Sequence, residues 1–231
     1  MRGYFVVIEG GDCVGKTTQA GLLVDCLKAK NYNIKVLDFP SYEKTPGGLI
    51  VRQYLNGGFG TIDEVRPEVA ALTYVIDRYQ FAGENQKALD EGMILISNRY
   101  TQSNMGHQGG KFKGAERDKF FDWLEAVESR MPQPDKVIYL DLPVEVSTLL
   151  LKKRGNDVKG AGKKDIHESN IQHLMDARDS YLYAAKLKGW KVIDCKKPNE
   201  NNIRSPEEIH KEILETLISD EKSPFYNEKL L

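Results

Sequence analysis

Apolar residues along this chain fall into two alternating patterns. Tyr4 to Ile8 and Met93 to Ile96 are short apolar runs, as expected of strands covered on both faces, and Asn33 to Phe39, Lys136 to Leu140 and Lys191 to Ile193 read as three further strands. Between them, apolar positions recur at helical spacing. Leu22, Leu23, Cys26 and Leu27 predict a helix after Lys16, and Gly47 to Leu55 a short one ended by Gly57-Gly58. Val69, Leu72, Tyr74, Val75 and Ile76 predict one long helix over Arg66 to Asp90. Further helices are expected over Glu116 to Arg130, Val144 to Lys153 and Asp165 to Lys188. Ser205 followed by Pro206 reads as an N-cap and first helical residue, opening a last helix to about Ile218. The final dozen residues are polar and are expected to be loosely held. Five strands separated by helices imply an α/β fold, with a parallel sheet between two helical layers and ligands at the carboxyl ends of its strands.

Composition narrows the class. A chain of 231 residues with 40% hydrophobic content suits a single domain spanning residues 1–231. The net charge of -1 gives no reason to expect nucleic acid or an acidic membrane as partner. Three cysteines, odd in number and without metal-ligand spacing, read as free thiols of a reducing compartment. No run of about 18 apolar residues suggests a membrane span. The chain enters its first strand within four residues, which leaves no room for a signal peptide. The expectation is a cytoplasmic enzyme.

The chemistry begins at Gly10-Gly11-Asp12-Cys13-Val14-Gly15-Lys16-Thr17, which fits the phosphate-loop pattern between a strand and a helix. Backbone N–H groups and the positive helix end would face a triphosphate. Lys16 would reach the β- and γ-phosphates and Thr17 would hold Mg²⁺. The fold expected is therefore a three-layer α/β/α P-loop NTPase with a five-stranded parallel sheet. Asp12 would repel phosphate, so it should face an acceptor-seeking group such as a sugar hydroxyl. Tyr74 and Arg78 share a helix face at i, i+4, where ring and guanidinium could stack on and hydrogen-bond to a nucleobase. After the Met93–Ile96 strand comes a polar, glycine-rich run, in which Arg99 is placed to meet a phosphate and Asn104 and Gln108 to read a base edge. Arg154 to Lys164 holds three glycines and the cations Arg154, Lys159, Lys163 and Lys164. It reads as a mobile basic lid, about 154–168, that could bring positive charge to a transferring phosphoryl group.

These residues together resemble the thymidylate kinase family over nearly the whole chain. The loop with its acidic residue, continuing into Thr18 and Gln19, is similar to that family's phosphate loop. Phe39-Pro40-Ser41-Tyr42, the helix Leu72 to Arg78, Asn98-Arg99-Tyr100 with Ser103, Asn104, His107 and Gln108, and Pro134-Asp135 to Pro143 match its further motifs in order. The resemblance implies ATP as donor, dTMP as acceptor, Mg²⁺ as cofactor, a lid and a homodimer. It also implies substrate contacts from Phe39, Tyr42, Ser103 and His107, and lid cations at Lys163 or Lys164. Four positions depart from the pattern. Asn98 stands for an aspartate that helps organise Mg²⁺, Ser41 for an arginine that assists the acceptor phosphate, and His107 for an aromatic beneath the sugar. Cys13 stands beside Asp12 where a loop arginine could be. Two alternatives stay open: a kinase for another pyrimidine monophosphate or a deoxynucleoside, and a non-catalytic nucleotide-binding regulator.

Overall fold

A computed structural model describes residues 2–157, 170–228 and 230. The five strands are β1 (Tyr4–Gly10), β2 (Ile34–Asp38), β3 (Ile94–Asn98), β4 (Lys136–Asp141) and β5 (Lys191–Asp194). They form one parallel sheet in the order β2-β3-β1-β4-β5. β1 lies in the middle and all seven of its residues are buried, which explains why its sequence is apolar without alternation. The chain winds one way from β1 to β3 and the other way to β4. The crevice at the carboxyl end of β1 is therefore the switch point where such sheets bind ligands.

Helices cover both faces. α1 (Lys16–Ala29) and α9 (Pro206–Ile218) pack over Val6, Ile8, Ile96 and Ile138, while α3 (Pro67–Tyr79) and α4 (Ala82–Asp90) help cover Phe5, Val7 and Leu95. α1 turns Ala20, Leu23, Val24 and Leu27 inward, so Leu22 and Cys26 sit at the margin of its expected face. The last helix opens with a capping box between Ser205 and Glu208, as its sequence promised. The remaining helices are α2 (Pro46–Leu55), α5 (Gln102–His107), α6 (Gly114–Glu128), α7 (Val144–Asp157) and α8 (Ile171–Lys188). Among the described residues no helix is long and apolar enough to cross a membrane.

The structure corrects four expectations. The helix expected over Arg66 to Asp90 is two helices, broken at Gln80-Phe81. At the break, Phe81 packs edge-on against Phe39 at 5.7 Å. On α3 the large residues Val69, Leu72 and Ile76 face outward, and the small residues Ala70, Ala71 and Thr73 face the core beside Val75. α7 continues to Asp157, so Arg154 to Asp157 are helical rather than the start of a loop. The tail is also held. Phe225 is fully buried against Tyr4 and Tyr32, and Asp220 pairs with Lys136. Burying such a ring contributes about 2–3 kcal/mol, which outweighs the polarity of its neighbours.

Candidate active site

The phosphate loop takes the shape its glycines allow. Gly15 has φ 89, a left-handed conformation at the N-cap of α1 that suits glycine best. Cys13 also has a positive φ, of 58. Lys16 is buried, 8% exposed, and its Nζ donates to the Gly11 carbonyl at 2.5 Å. Burial and the neighbouring Arg99 pull its ammonium down to about 7, against the opposing pull of Asp12 and Glu9. A cation held this way is poised for an anion, because an incoming phosphate would offset both causes.

Thr17 and Thr18 are exposed at the start of α1. The Thr17 hydroxyl accepts from Asn98 Nδ2 at 3.3 Å, and the same amide donates to Asp38 Oδ1 at 2.9 Å. Asp38 pairs with Asn98 in the sheet register. Asn98 Oδ1 is buried and has no hydrogen-bond partner among the described residues. Asp38 was missed in the sequence. Its place as a polar last residue of a strand is the signal that could have found it.

Beside the loop lies a cleft of about 270 Å³. It is lined by Asp12, Phe39 and Tyr42, by Tyr74 and Arg78 from α3, and by Arg99, Ser103, Asn104 and His107 after β3. Nine residues expected to meet the acceptor thus line one cavity. Gln108 is not among them. It is fully buried behind the cleft, and its amide atoms have no partner among the described residues, so the base-reading expectation for it does not fit. The glycines of this run are not a flexible loop either. A side chain on Gly106 would strike the Tyr181 ring, and one on Gly109 would meet Phe121. Their absence of side chains lets α5 and the turn after it lie against α8 and α6.

Arg99 has φ 65, a conformation that a non-glycine residue adopts rarely and at a cost of about 1–3 kcal/mol. Its amide still donates to Ile8 in the central strand. Arg99 Nη2 donates to Asp12 Oδ1 at 2.7 Å, and its Nη1 donates to the Gly10 carbonyl at 3.2 Å. His107 Nε2 lies 3.3 Å from the same Nη1. Burial pushes the Asp12 carboxyl up, but Arg99 and Lys16 outweigh it and hold Asp12 below the usual carboxylate range. Asp12 and Arg99, expected to meet sugar and phosphate separately, are therefore partners here. His107 stacks on His173 with ring centroids 5.7 Å apart and meets Tyr181 edge-on.

The end of the cleft at Tyr74 and Arg78 rests on a carboxylate that sequence reasoning missed. Arg78 lies over the Tyr74 ring at 5.6 Å and pairs with Glu128 at 3.3 Å. Both partners of that pair are almost wholly buried. Asn104 Nδ2 donates to the same Glu128 oxygen at 2.9 Å. Burial pushes the Glu128 carboxyl up to about 7, with Arg78 and Asn104 pulling the other way. Under Ser103, Glu9 accepts from the Ser103 and Tyr181 hydroxyls and from the Tyr100 amide. Ser103 is thus committed to the floor of the site. Lys163 and Lys164 lie outside the described residues.

A phosphate loop at the switch point of a parallel sheet, joined to a cleft with an arginine at one end and an aromatic–arginine pair at the other, defines a P-loop kinase of the nucleoside monophosphate type. The thymidylate kinase family model matches residues 8–205, and the chain belongs to that family. A probable thymidylate kinase of Pyrococcus horikoshii is 31% identical over 93% of this chain and 95% of its own. A thymidylate kinase of Carboxydothermus hydrogenoformans is 31% identical over 92% of this chain and 96% of its own. The solved thymidylate kinase of Candida albicans shares the fold, with a TM-score of 0.66 and 21% identity over 94% of this chain and 92% of that one.

Proposed function

We propose that this chain transfers the γ-phosphoryl group of ATP to the 5′-phosphate of dTMP, giving dTDP and ADP. The observation that carries this is the single cleft joining Asp12 and Arg99, beside the phosphate loop, to Tyr74, Arg78 and Asn104. Backbone N–H groups of Gly11 to Lys16 and the Lys16 ammonium hold the donor phosphates. Arg99 takes the acceptor phosphate while it stays paired with Asp12, and the Asp12 carboxylate accepts from the 3′-hydroxyl. An acceptor oxygen bonds to the γ-phosphorus as the bond to the bridging oxygen breaks, and the electron pair leaves with ADP. The acceptor is already an anion, so positioning and charge rather than a general base supply the rate. Tyr74 stacks on the base, with Phe39 and Tyr42 on the cleft wall and His107 beside the sugar. Lys163 or Lys164 supplies the cation that Cys13 does not. A coupled assay of ATP with a panel of nucleoside monophosphates tests the reading. dTMP should give the highest kcat/KM, and a higher value for a purine or no turnover at all would overturn it.

Mg²⁺ fits the oxygen donors at this mouth, Thr17 Oγ1 and the Asp38 carboxylate, which the Asn98 amide nitrogen links. When bound, it would offset charge on the β- and γ-oxygens. Among the described residues no cluster of three or more histidine, cysteine or acidic side chains could hold a metal alone, so the nucleotide phosphates and water would supply the other ligands. Asp38→Asn should raise the Mg²⁺ concentration for half-maximal rate about threefold to tenfold, and Asn98→Asp should lower it. A magnesium titration of each variant reads this, and two unshifted curves would remove both residues from the metal's surroundings.

The protein acts as a homodimer in the cytoplasm on this reading. Val69, Leu72 and Ile76 form an exposed apolar row on α3, whose other face carries Arg78. A second copy covering that row would brace the base pocket. Sedimentation of wild type and Leu72→Glu tests it, with the variant expected to be monomeric and an unchanged mass sinking the assignment.

A further inference from the structure

Glu128 lies at the end of α6, 3% exposed. It does not line the cleft, yet it touches two of the cleft's recognition groups. Its Oε1 accepts from Arg78 at 3.3 Å and from Asn104 at 2.9 Å. The Asn104 amide nitrogen also donates to the Ala71 carbonyl at 3.4 Å. Glu128 Oε1 accepts from the permanently charged Arg78, so it stays an acceptor even when the carboxyl binds a proton at its other oxygen, and a main-chain carbonyl offers acceptors only. The Asn104 amide nitrogen must therefore face them, and its carbonyl oxygen points the other way. Asn104 then presents an acceptor to a ligand, while Arg78 presents donors.

That arrangement distinguishes pyrimidines. Thymine and uracil carry an N3–H donor next to an O4 acceptor. Cytosine carries a lone pair at N3 and an amino group at C4, the reverse at both places. A freely turning asparagine could meet either pattern with its oxygen or its nitrogen. A pinned asparagine cannot. We propose that Glu128 is the positioning residue that sets base specificity, by holding Asn104 with its carbonyl outward and Arg78 over Tyr74, so that the cleft selects pyrimidines with an N3–H over 4-aminopyrimidines. The inference rests on the monophosphate-kinase reading above. It concerns a residue that touches no substrate.

The test is kcat/KM for dTMP, dUMP and dCMP in wild type, Glu128→Gln and Glu128→Leu. Wild type should prefer dTMP and dUMP over dCMP by roughly 10³-fold or more, since a polar site left facing the wrong group discriminates strongly. Glu128→Gln keeps an oxygen for both donors and should hold that ratio within about threefold. Glu128→Leu removes the acceptor, and the ratio should fall at least about tenfold as the amide becomes free to turn. A loss of overall activity with the ratio intact would show mere structural support and overturn the proposal. So would equal kcat/KM for dTMP and dCMP in wild type, a result that needs no variant to fold. Absence of turnover with every pyrimidine monophosphate would instead sink the kinase reading itself.

Discussion

Lys16→Met should lower kcat/KM for ATP by about 10³-fold, or roughly 4 kcal/mol of transition-state stabilisation, while leaving the nucleotide-free fold more stable. Both effects have one cause. Lys16 is buried, and its ammonium donates to the carbonyl of Gly11. Without a phosphate to face, the buried ammonium costs stability, and that cost is what pulls its proton affinity down to about 7. Methionine fills similar space without the charge. The pH dependence has a definite sign. Between about pH 7 and the ordinary lysine value of 10.5, the unfolded chain binds a proton that the folded protein does not, so wild-type stability rises with pH. The cost is fully present below pH 7, where it is on the order of 5 kcal/mol, and fades as pH climbs. Urea unfolding should therefore find Lys16→Met more stable than wild type at pH 7, with a smaller gap at pH 9.5. Steady-state kinetics supplies the other half. A fall in kcat/KM of less than tenfold would remove Lys16 from the donor site.

The contrast between Lys16 and Glu128 shows what the sequence makes legible. The phosphate loop is contiguous, and its chemistry depends on local backbone geometry, so eight residues suffice to announce it. Tyr74 and Arg78 are legible for a similar reason, since helical spacing alone places them on one face. Glu128 reads as one more acid on a helix of mixed polarity. Only the packing of α6 against α3 and α5 carries it to Arg78 and Asn104, fifty and twenty-four positions away. Asp38 reaches Asn98 through strand pairing, at sixty. The helix break at Gln80-Phe81 is hidden because helical periodicity runs through it, and the contact of Phe81 with Phe39 at that break is a tertiary one. On α3 the large apolar residues implied the core face, yet small residues let the helix approach the interior closely. Phe225 and Leu230 show the converse, since two buried anchors hold a tail whose average polarity suggests none. The lid expectation falls on residues outside those described, apart from the helical stretch up to Asp157.

Arg99→Ala should lower kcat/KM for dTMP by about 10²–10³-fold, or about 3–4 kcal/mol. The guanidinium is held by three neighbours: the Asp12 carboxylate, the Gly10 carbonyl and His107. Its backbone is held in a left-handed turn anchored on Ile8. A group fixed this firmly before the acceptor arrives loses little freedom on binding it. Arg99→Lys should recover little, because an ammonium cannot spread its donors over Gly10, Asp12 and a phosphate together. Asp12→Asn keeps an acceptor for Arg99 but gives up the charge, and should cost about tenfold. The double variant decides how the two residues work. If Asp12 acts partly by aiming Arg99, then Arg99→Ala with Asp12→Asn should cost clearly less than the two single losses multiplied together. Strict multiplication would mean that Asp12 serves only the sugar and Arg99 only the phosphate. Arg99→Ala within fivefold of wild type would leave the pair a structural clasp and move the acceptor phosphate elsewhere in the cleft.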